Sequence, residues 1–401
     1  MTKRVVIVDG VRTPFGKIGG GLRDFHASEL AAFTIQGLLK KTQLIERGGK
    51  VDCVFAGSAG HDAISFNPAR YAVLAAGLPY ETSASFIEMQ CGSAIDCINH
   101  AAWKILGGCA DIIVAGGMES HSQRFAKFST STQPYKMIAP AAIPQHVTPV
   151  AADDITMIEV SDRMAERWNV SREECDEFAL ASQKRAGNAI LKGYFDDEII
   201  PITIPATRKS PAVIIQKDEH VRPETTFENL QSLRAIRAGG VTTAGNSSGL
   251  NDGAAFVLMM TEDTAKKLGY VPYAAWVAGA DYGVDPKYMG IGPAYSNMLT
   301  LKRAGITYDD LSVVECNEAF AAQNLGVIRE TENTIGHKIN RDIWNPNGGA
   351  ISFGHPNGAS GARIAMFAMR ELERNGGKYG LFGACCGGGL GVSTLIENLR
   401  R

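Results

Sequence analysis

The sequence has no recognisable membrane span, targeting signal or basic stripe. No apolar run approaches the ~18 residues that a membrane-spanning helix needs, and the start, MTKRVVIVDG, has no signal-peptide core and is predicted to enter a first strand. The end, IENLRR, matches no peroxisomal or retention signal. The formal net charge is only −2 and no long basic stripe occurs, which argues against nucleic-acid binding. We therefore expect a cytoplasmic protein without a membrane span.

The cysteines form no CxxC pair, so neither a zinc ribbon nor a dithiol redox motif is expected. Without a secretory signal they should be reduced thiols, and most should be small buried residues. No metal site and no resident cofactor are predicted. The eight cysteines stand at positions 53, 91, 97, 109, 175, 316, 385 and 386.

Short apolar runs alternate with helical patterns at both ends of the chain, which is typical of a parallel or mixed sheet covered by helices. The first ~120 residues predict buried strands at 5–10, 53–58, 84–89 and 111–117, and helices at about 29–41, 68–76 and 92–107. The pattern returns with strands at 252–260 and 274–280, a strand and helix over 311–320, and a strand, glycine turn and strand over 380–399.

The middle of the chain differs, because proline recurs there and strand-like runs thin out. An amphipathic helix is predicted over 171–193, where Ser171 and Glu174 form a capping box. A structureless loop of such length is rare in a compact domain. We therefore predict an N-terminal half at 1–118 completed by about 246–270, an inserted loop domain at 119–245, and a C-terminal half at 271–401.

The segment EMQCGSA (88–94) places Cys91 between a predicted strand and a predicted helix. A cysteine at a helix N-terminus lies at the positive end of the helix dipole, which stabilises its thiolate. The alternative is a buried structural cysteine, and this segment alone does not decide between the two. Cys91 is a candidate nucleophile.

Glycines flank His355 in NPNGGAISFGHPNGASGARI (345–364), and Pro356 is predicted in the first turn of a helix. Histidine is the usual general base near neutral pH. A lone histidine is more often a packed or surface residue, but the glycine-rich setting favours catalysis here.

Two further segments carry polar or flexible groups. In ACCGGGLG (384–391), three glycines after two cysteines could present backbone N–H groups as an oxyanion hole; the alternative is a tight turn. In ECNEAFAAQ (315–323), Asn317 is predicted as a helix cap.

Together these segments resemble the thiolase family. The resemblance implies an α/β fold of two similar βαβ-rich halves in stacked αβαβα layers with an inserted loop domain. It also implies an acyltransferase that reversibly cleaves 3-oxoacyl-CoA with coenzyme A, which is a substrate and not a cofactor, and a homodimer or homotetramer. The matching segments are CGSA (91–94), DIIVAGGMES (111–120), TTAGNSSGLNDGAA (242–255), CNEAFAAQ (316–323), NGGAISFGHPNGASGARI (347–364) and CCGGGLG (385–391).

The resemblance also assigns roles. Cys91 would carry the acyl group as a thioester after His355 takes its proton, and Cys385 would act as acid and base on the acetyl-CoA unit. Asn317 would hold a water that, with the His355 ring, stabilises the enolate oxygen. The backbone N–H groups of Cys91 and Gly387 would form the second oxyanion hole.

Six more positions match family residues that line the coenzyme A path; the less favoured alternative for each is ordinary core packing. They are Arg222 at the adenine-nucleotide end, Ala244 and Ser248 along the pantetheine arm, and Met157, Met289 and Phe320 near the acyl end.

The chain departs from the family pattern at several positions. Glu88 replaces a common asparagine, Ala94 a glycine, Asn357 an apolar residue and His121 the second methionine of GGMESMS, while MIEVSD (157–162) lacks the glycine of an MGxTAE-like stretch. Since Asn357 and the MIEVSD stretch should lie near the acyl pocket, we hypothesise a preference for a polar or branched acyl chain over acetoacetyl-CoA.

Two other functions share some of these features. A decarboxylating condensing enzyme of the β-ketoacyl synthase type would need no second cysteine, so Cys385 argues against it. A catalytically silent acyl-CoA-binding paralogue, or a scaffold subunit, would have no need of an intact Cys91, Asn317, His355 and Cys385.

Overall fold

A computed structural model describes residues 3–131, 133–206, 208 and 211–401. Its strands are β1 (Val5–Arg12), β2 (Gly16–Lys17), β3 (Cys53–Gly57), β4 (Ser83–Ile87), β5 (Ile112–Ser120), β6 (Ile202–Ile204), β7 (Val213–Ile215), β8 (Asn251–Thr261), β9 (Ala274–Gly283), β10 (Leu311–Cys316), β11 (Tyr379–Cys386) and β12 (Leu390–Asn398). Its α-helices are α1 (Ala27–Thr42), α2 (Pro68–Ala75), α3 (Ser93–Leu106), α4 (Met157–Arg167), α5 (Arg172–Leu191), α6 (Phe227–Gln231), α7 (Glu262–Lys267), α8 (Gly292–Ala304), α9 (Ala321–Ile335), α10 (Ala350–Phe353) and α11 (Asn357–Asn375).

The large sheet has ten strands and joins the two ends of the chain. Its order is β10-β11-β12-β9-β1-β8-β5-β3-β4, with β2 paired to β8. The β10/β11, β3/β4 and β3/β5 pairs are parallel and the other pairs are antiparallel. Only two residue pairs join β1 to β9, so the sheet divides there into an N-terminal and a C-terminal half.

Three apolar clusters show how the layers stack. Helices α3 and α11 pack between the two halves of the sheet, where Ile95 and Met366 share a core with Phe382 of β11. Helices α1 and α2 cover the outer face of the N-terminal half, and α8 and α9 cover that of the C-terminal half. The predicted αβαβα stacking of two halves is confirmed.

Residues 121–250, so far as they are described, add no strand to the large sheet. This segment holds α4, α5, α6 and a separate two-stranded sheet of β6 and β7. The predicted capping box is present, since Ser171 accepts from the Glu174 backbone N–H at the start of α5. Within the described residues, none of the helices has both the length and the apolar character needed to cross a lipid bilayer.

Most predicted elements are found, but three details were wrong. The run 84–89 was predicted as a buried strand, whereas β4 is the half-exposed edge of the sheet and pairs only with β3. Asn317 is not a helix cap, because α9 begins four residues later with Phe320 in the capping position. Pro356 lies at the cap of α11 and not inside its first turn.

Candidate active site

Cys91 lies in a tight turn between β4 and α3. Gln90 has a φ of +48°, a left-handed conformation that is uncommon for residues other than glycine. A single 3₁₀ turn over 90–92 then leads directly into α3. Gly92 is required here, because a Cβ atom on it would lie 2.5 Å from the Cys386 Sγ. The turn therefore fixes Cys91 at the N-terminus of α3 with another thiol behind it.

Two departures from the family pattern support this turn. A carboxylate oxygen of Glu88 accepts from the backbone N–H of Gln90 at 2.8 Å and from its side-chain amide at 2.6 Å, which holds Gln90 in its left-handed conformation. Ala94 is fully buried, and α11 leaves room for its methyl group with Gly361, where an added Cβ would lie 3.2 Å from the Ala94 Cβ. Both substitutions are accommodated without displacing Cys91.

Both the backbone and the ring of His355 are fixed by hydrogen bonds. Its backbone N–H donates to the Oδ1 of Asn251 at 3.0 Å, and its ring Nδ1 lies 2.6 Å from the Oγ of Ser360. The Ser360 hydroxyl donates to the carbonyl of Pro356 at 3.2 Å, so it accepts from an Nδ1–H of the ring. The Nε2 lone pair then faces the amide Nδ2 of Asn317 at 3.4 Å. The ring is thus set as a proton acceptor at Nε2.

The turn after β10 holds Asn317, and the end of β11 holds Cys385. The Asn317 backbone N–H donates to the carbonyl of Gly383 at 2.9 Å, which ties the turn after β10 to β11. Cys385 is fully buried near the end of β11. The β11–β12 turn that follows needs glycine, since Gly388 and Gly389 have φ values of 90° and 92°.

Burial dominates the protonation of the site. It is the largest cause that raises the pKa of Cys91, followed by the neighbouring Cys385 and Glu119. Burial likewise raises the pKa of Cys385 to about 12. Burial, followed by His121 and Arg363, lowers the pKa of His355 to about 3. Burial therefore favours a neutral thiol beside a neutral imidazole, and it opposes the thiolate that the N-terminus of α3 would stabilise.

One cavity of about 770 Å³ opens onto this site. Cys91, His355 and Gly387 line it, together with all six positions predicted along the coenzyme A path. Cys385 and Asn317 are not among its lining residues. The six path residues are Arg222, Ala244, Ser248, Met157, Met289 and Phe320.

The charge of the cavity wall favours an anionic ligand. Arg124 and Arg222 both line it, and no aspartate or glutamate does so in the described part of the chain. His220 lies in the same wall, where burial and then Arg222 and Lys17 lower its pKa to about 4. Phosphate groups and carboxylates are the anions that arginine binds best.

His121 and Asn357, two residues that depart from the family pattern, are in contact in the structure, and the sequence did not reveal this contact. The Nε2 of His121 lies 3.0 Å from the Oδ1 of Asn357, and the Nδ2 of Asn357 donates to the Cys91 Sγ at 3.4 Å. Both residues line the cavity. Each departure was visible in the sequence, but their contact was not, since 236 positions separate them.

Comparison with known proteins identifies relatives along the whole chain. The family model "Thiolase, N-terminal domain" matches residues 5–263, and "Thiolase, C-terminal domain" matches 270–398. The chain is 40% identical to the 3-oxoadipyl-CoA/3-oxo-5,6-dehydrosuberyl-CoA thiolase of Escherichia coli strain K12, with 99% of this chain and 100% of that protein aligned. It is also 40% identical to an acetyl-CoA acetyltransferase of Chromobacterium violaceum, over 98% of this chain and 99% of that protein. The crystal structure of the Bacillus anthracis acetyl-CoA acetyltransferase superposes with a TM-score of 0.89 at 37% identity and 99% coverage of both chains.

Proposed function

The chain belongs to the thiolase family of acyltransferases, and on that premise we propose that Cys91, His355 and Cys385 divide the thiolysis of a 3-oxoacyl-CoA between them. The observation that carries the proposal is the cavity that Cys91 and His355 share, which is also lined by all six positions proposed for coenzyme A binding. Covalent catalysis would split one difficult carbon–carbon cleavage into two easier steps.

In the first step, the Nε2 of His355 accepts the proton of Cys91, and the thiolate attacks the 3-oxo carbonyl carbon. The bond between C2 and C3 then breaks, leaving an acyl thioester on Cys91 and the enolate of acetyl-CoA. Cys385 donates its proton to that enolate, and acetyl-CoA leaves. The raised pKa of Cys385, about 12 because of burial, keeps this thiol protonated and ready to donate.

Before the second step, the proton held on His355 passes to the Cys385 thiolate, which restores both groups. The thiol of coenzyme A then gives its proton to the Nε2 of His355 and attacks the thioester on Cys91. Acyl-CoA leaves, and the Cys91 thiolate takes that proton back from His355. The reverse sequence is the condensation of acyl-CoA with acetyl-CoA, in which Cys385 removes the α-proton. The same groups serve both directions.

Negative charge develops on oxygen in both steps and needs hydrogen-bond donors. We assign the thioester oxygen to the backbone N–H groups of Cys91 and Gly387, and the enolate oxygen to the His355 ring and a water held by Asn317. Gly387 lines the cavity with Cys91, and Asn317 is in contact with the ring. Each such donor contributes roughly 3 kcal/mol to the barrier lowering.

Coenzyme A enters as a substrate, and no resident cofactor is proposed. Arg222 would face the adenine-nucleotide end, where its guanidinium suits a phosphate group. Ala244 and Ser248 would line the pantetheine arm. The acyl end would be formed by Met157, Met289 and Phe320, all of which line the same cavity.

For the acyl chain, we propose a 3-oxoacyl group that bears a distal carboxylate. The support is the polar wall near Cys91, where His121 and Asn357 replace apolar residues, together with the exposed cation of Arg124 in the same cavity. One relative at 40% identity is named for 3-oxoadipyl-CoA, a substrate of this class.

We also propose a cytoplasmic homo-oligomer, a homodimer or a homotetramer. Two surfaces support self-association. The edge strand β4 leaves one side without a neighbouring strand in the described chain. The segment 121–150 exposes an unusual number of large apolar side chains, which would be unfavourable in a monomer. They are Phe125, Phe128, Tyr135, Met137, Ile138, Ile143, Val147 and Val150.

A substrate panel in the thiolysis direction tests this function. The purified protein and free coenzyme A are mixed with acetoacetyl-CoA, 3-oxohexanoyl-CoA or 3-oxoadipyl-CoA, of which the last two differ by the distal carboxylate. We expect the highest kcat/KM with 3-oxoadipyl-CoA. Arg124→Ala should reduce this advantage about tenfold, which is the ~1.4 kcal/mol of a modest charge-assisted hydrogen bond. The exposed Lys127→Ala should preserve the advantage. A clear preference for acetoacetyl-CoA would overturn the acyl-chain proposal, and no thiolysis of any of the three would overturn the function.

A further inference from the structure

The residues that depart from the family pattern at 121 and 357 form a continuous chain of contacts with Cys91. His121 follows β5, and Asn357 opens α11. The His121 Nε2 and the Asn357 Oδ1 are 3.0 Å apart, and the Asn357 Nδ2 reaches the Cys91 Sγ at 3.4 Å. An apolar residue at either position could not make these contacts.

We propose that His121 and Asn357 are positioning residues which set the reactivity of Cys91, His121 by fixing the side-chain amide of Asn357 and Asn357 by donating an N–H to the sulfur. The proposal rests on the nucleophilic role of Cys91 proposed above. It goes beyond that role because it assigns to two residues outside the reacting set the control of how readily the thiolate forms.

The orientation of the amide is the first step. An amide has an acceptor end and a donor end, and rotation by half a turn would present its oxygen to the sulfur. An Nε2–H of His121 needs an acceptor, so it selects the orientation in which Oδ1 faces the ring and the NH₂ group faces Cys91. His121 is 3% exposed, and little water reaches it to compete for that contact. His121 therefore acts on Cys91 only through Asn357.

The effect on the sulfur is the second step. A donor gains more from a charged thiolate than from a neutral thiol, so the Asn357 N–H favours the ionised form. It opposes burial and two neighbours, Cys385 and Glu119, which favour the thiol. The carboxylate of Glu119 accepts from the backbone N–H groups of Ala59, Gly60 and Gly358, each at 2.9 Å. These contacts fix the carboxylate, so it does not turn away from Cys91 when the thiolate forms.

Other titratable groups also stand near this chain of contacts. Cys386 lies behind Gly92, and His355 shares the cavity wall with Cys91 and His121. On the far side of His121, the backbone N–H of Ser122 donates to Asp252 at 2.9 Å. These groups remain in place in the variants below, so differences between variants report on Asn357 and His121.

The rate of alkylation of Cys91 by iodoacetamide, measured between pH 6 and pH 10 by peptide mass spectrometry, tests the proposal. All proteins carry Cys109→Ser, which removes the one exposed cysteine among the described residues. Burial keeps the Cys91 thiol largely protonated across this range, so the rate reports the small thiolate fraction, and Asn357→Leu should lower that rate about tenfold at each pH. Asn357→Ala, which introduces no bulk, should give the same loss of rate.

A double-variant comparison separates a positioning role from a structural one. His121→Met should slow the alkylation of Cys91 by a smaller factor, because the amide keeps its donor but loses its orientation. In the Asn357→Leu background, His121→Met should add nothing further, since its effect passes through the amide. For each variant, the midpoint of thermal unfolding should stay close to that of the parent while alkylation of Cys91 slows, whereas a merely structural defect would lower the unfolding midpoint as well.

The proposal is overturned if the alkylation rates of Asn357→Leu and Asn357→Ala equal that of the parent at every pH, or if the rate losses of His121→Met and Asn357→Leu multiply in full in the double variant. Circular dichroism and thermal unfolding confirm that each protein is folded, and Asn357→Ala stands in if Asn357→Leu does not fold. The nucleophilic role itself fails on a different result, the retention of full thiolysis by Cys91→Ala. The two failures are therefore distinguishable.

Discussion

The Nδ1 of His355 lies 2.6 Å from the Oγ of Ser360, five residues further along the chain in the first turn of α11. This contact places the ring proton on Nδ1 and leaves Nε2 free as an acceptor. A serine at this point in α11 thus determines which nitrogen of His355 can take a proton from Cys91.

Ser360→Ala should lower kcat with little change in KM. Loss of the Ser360 hydroxyl leaves the buried Nδ1–H of His355 without its acceptor. The cost is about 1–3 kcal/mol, which corresponds to roughly 10- to 100-fold in rate. Steady-state thiolysis kinetics measure the effect. As a control, Thr334→Ala removes an exposed hydroxyl that donates to a helix carbonyl at 2.8 Å, and it should leave both constants unchanged. An unchanged kcat in Ser360→Ala would show that the tautomer is fixed in some other way.

The buried His355 should make the fold less stable as the pH falls. Burial lowers its pKa to about 3 in the folded protein, whereas an unfolded chain takes up a proton near pH 6.5. The unfolded state therefore binds more protons between those values, and stability declines with falling pH through that window. From pH 7 to pH 5 this residue should account for a loss of about 2 kcal/mol in the free energy of unfolding.

Urea unfolding of the parent and of His355→Gln at both pH values measures that loss. The variant should lose about 2 kcal/mol less between pH 7 and pH 5 than the parent does. The exposed His337→Gln should behave as the parent. An equal loss in His355→Gln and the parent would contradict the assignment of a neutral buried imidazole.

Gly92 should tolerate no side chain. A Cβ there would lie 2.5 Å from both the Cys386 Sγ and the Val392 Cγ1, so the turn carrying Cys91 must move. Gly92→Ala should cost about 1–3 kcal/mol of stability and reduce kcat/KM more than its loss of stability explains. Gly283→Ala is the control, because a Cβ at Gly283 meets nothing within 4 Å. Thermal unfolding and thiolysis assays compare the two variants. Equal losses of stability and of kcat/KM in Gly92→Ala and Gly283→Ala would contradict the steric argument.

Cys385 should be needed for carbon–carbon cleavage but not for acyl transfer. Cys385→Ala should lower thiolysis by about 10²- to 10⁴-fold, the usual contribution of a general acid or base. It should still exchange labelled coenzyme A into acetyl-CoA, because that reaction needs only Cys91 and His355. Cys386→Ala, which removes the adjacent buried thiol, should retain both reactions. Loss of the exchange in Cys385→Ala would place Cys385 in the acyl-transfer step instead.

The sequence predicted the parts of the site that are local. The strand, turn and helix patterns made Cys91 and His355 candidates. The family resemblance assigned their roles and added six positions for coenzyme A binding, all of which line the cavity. Local propensity also placed most strands and helices, because periodicity and capping act over a few residues.

The remaining features depend on tertiary structure. Burial is the largest cause that raises the pKa of Cys91, and the extent of that burial depends on the packing of distant segments. The exposure of β4 follows from its place at the edge of the sheet, which its apolar run does not reveal. The Asn357–His121 contact joins residues 236 positions apart. None of these properties belongs to a short window of sequence.

The central claim is that Cys91 carries the acyl group, and trapping that intermediate tests it most directly. The protein is mixed with 3-oxoadipyl-CoA or acetoacetyl-CoA in the absence of free coenzyme A, quenched in acid, digested, and examined by mass spectrometry. We predict a peptide containing Cys91 that gains the mass of the acyl group, which disappears on adding coenzyme A and is absent from Cys91→Ala. An acyl group found on Cys385 or Cys386, or no acylated peptide from protein that turns over, would contradict the account.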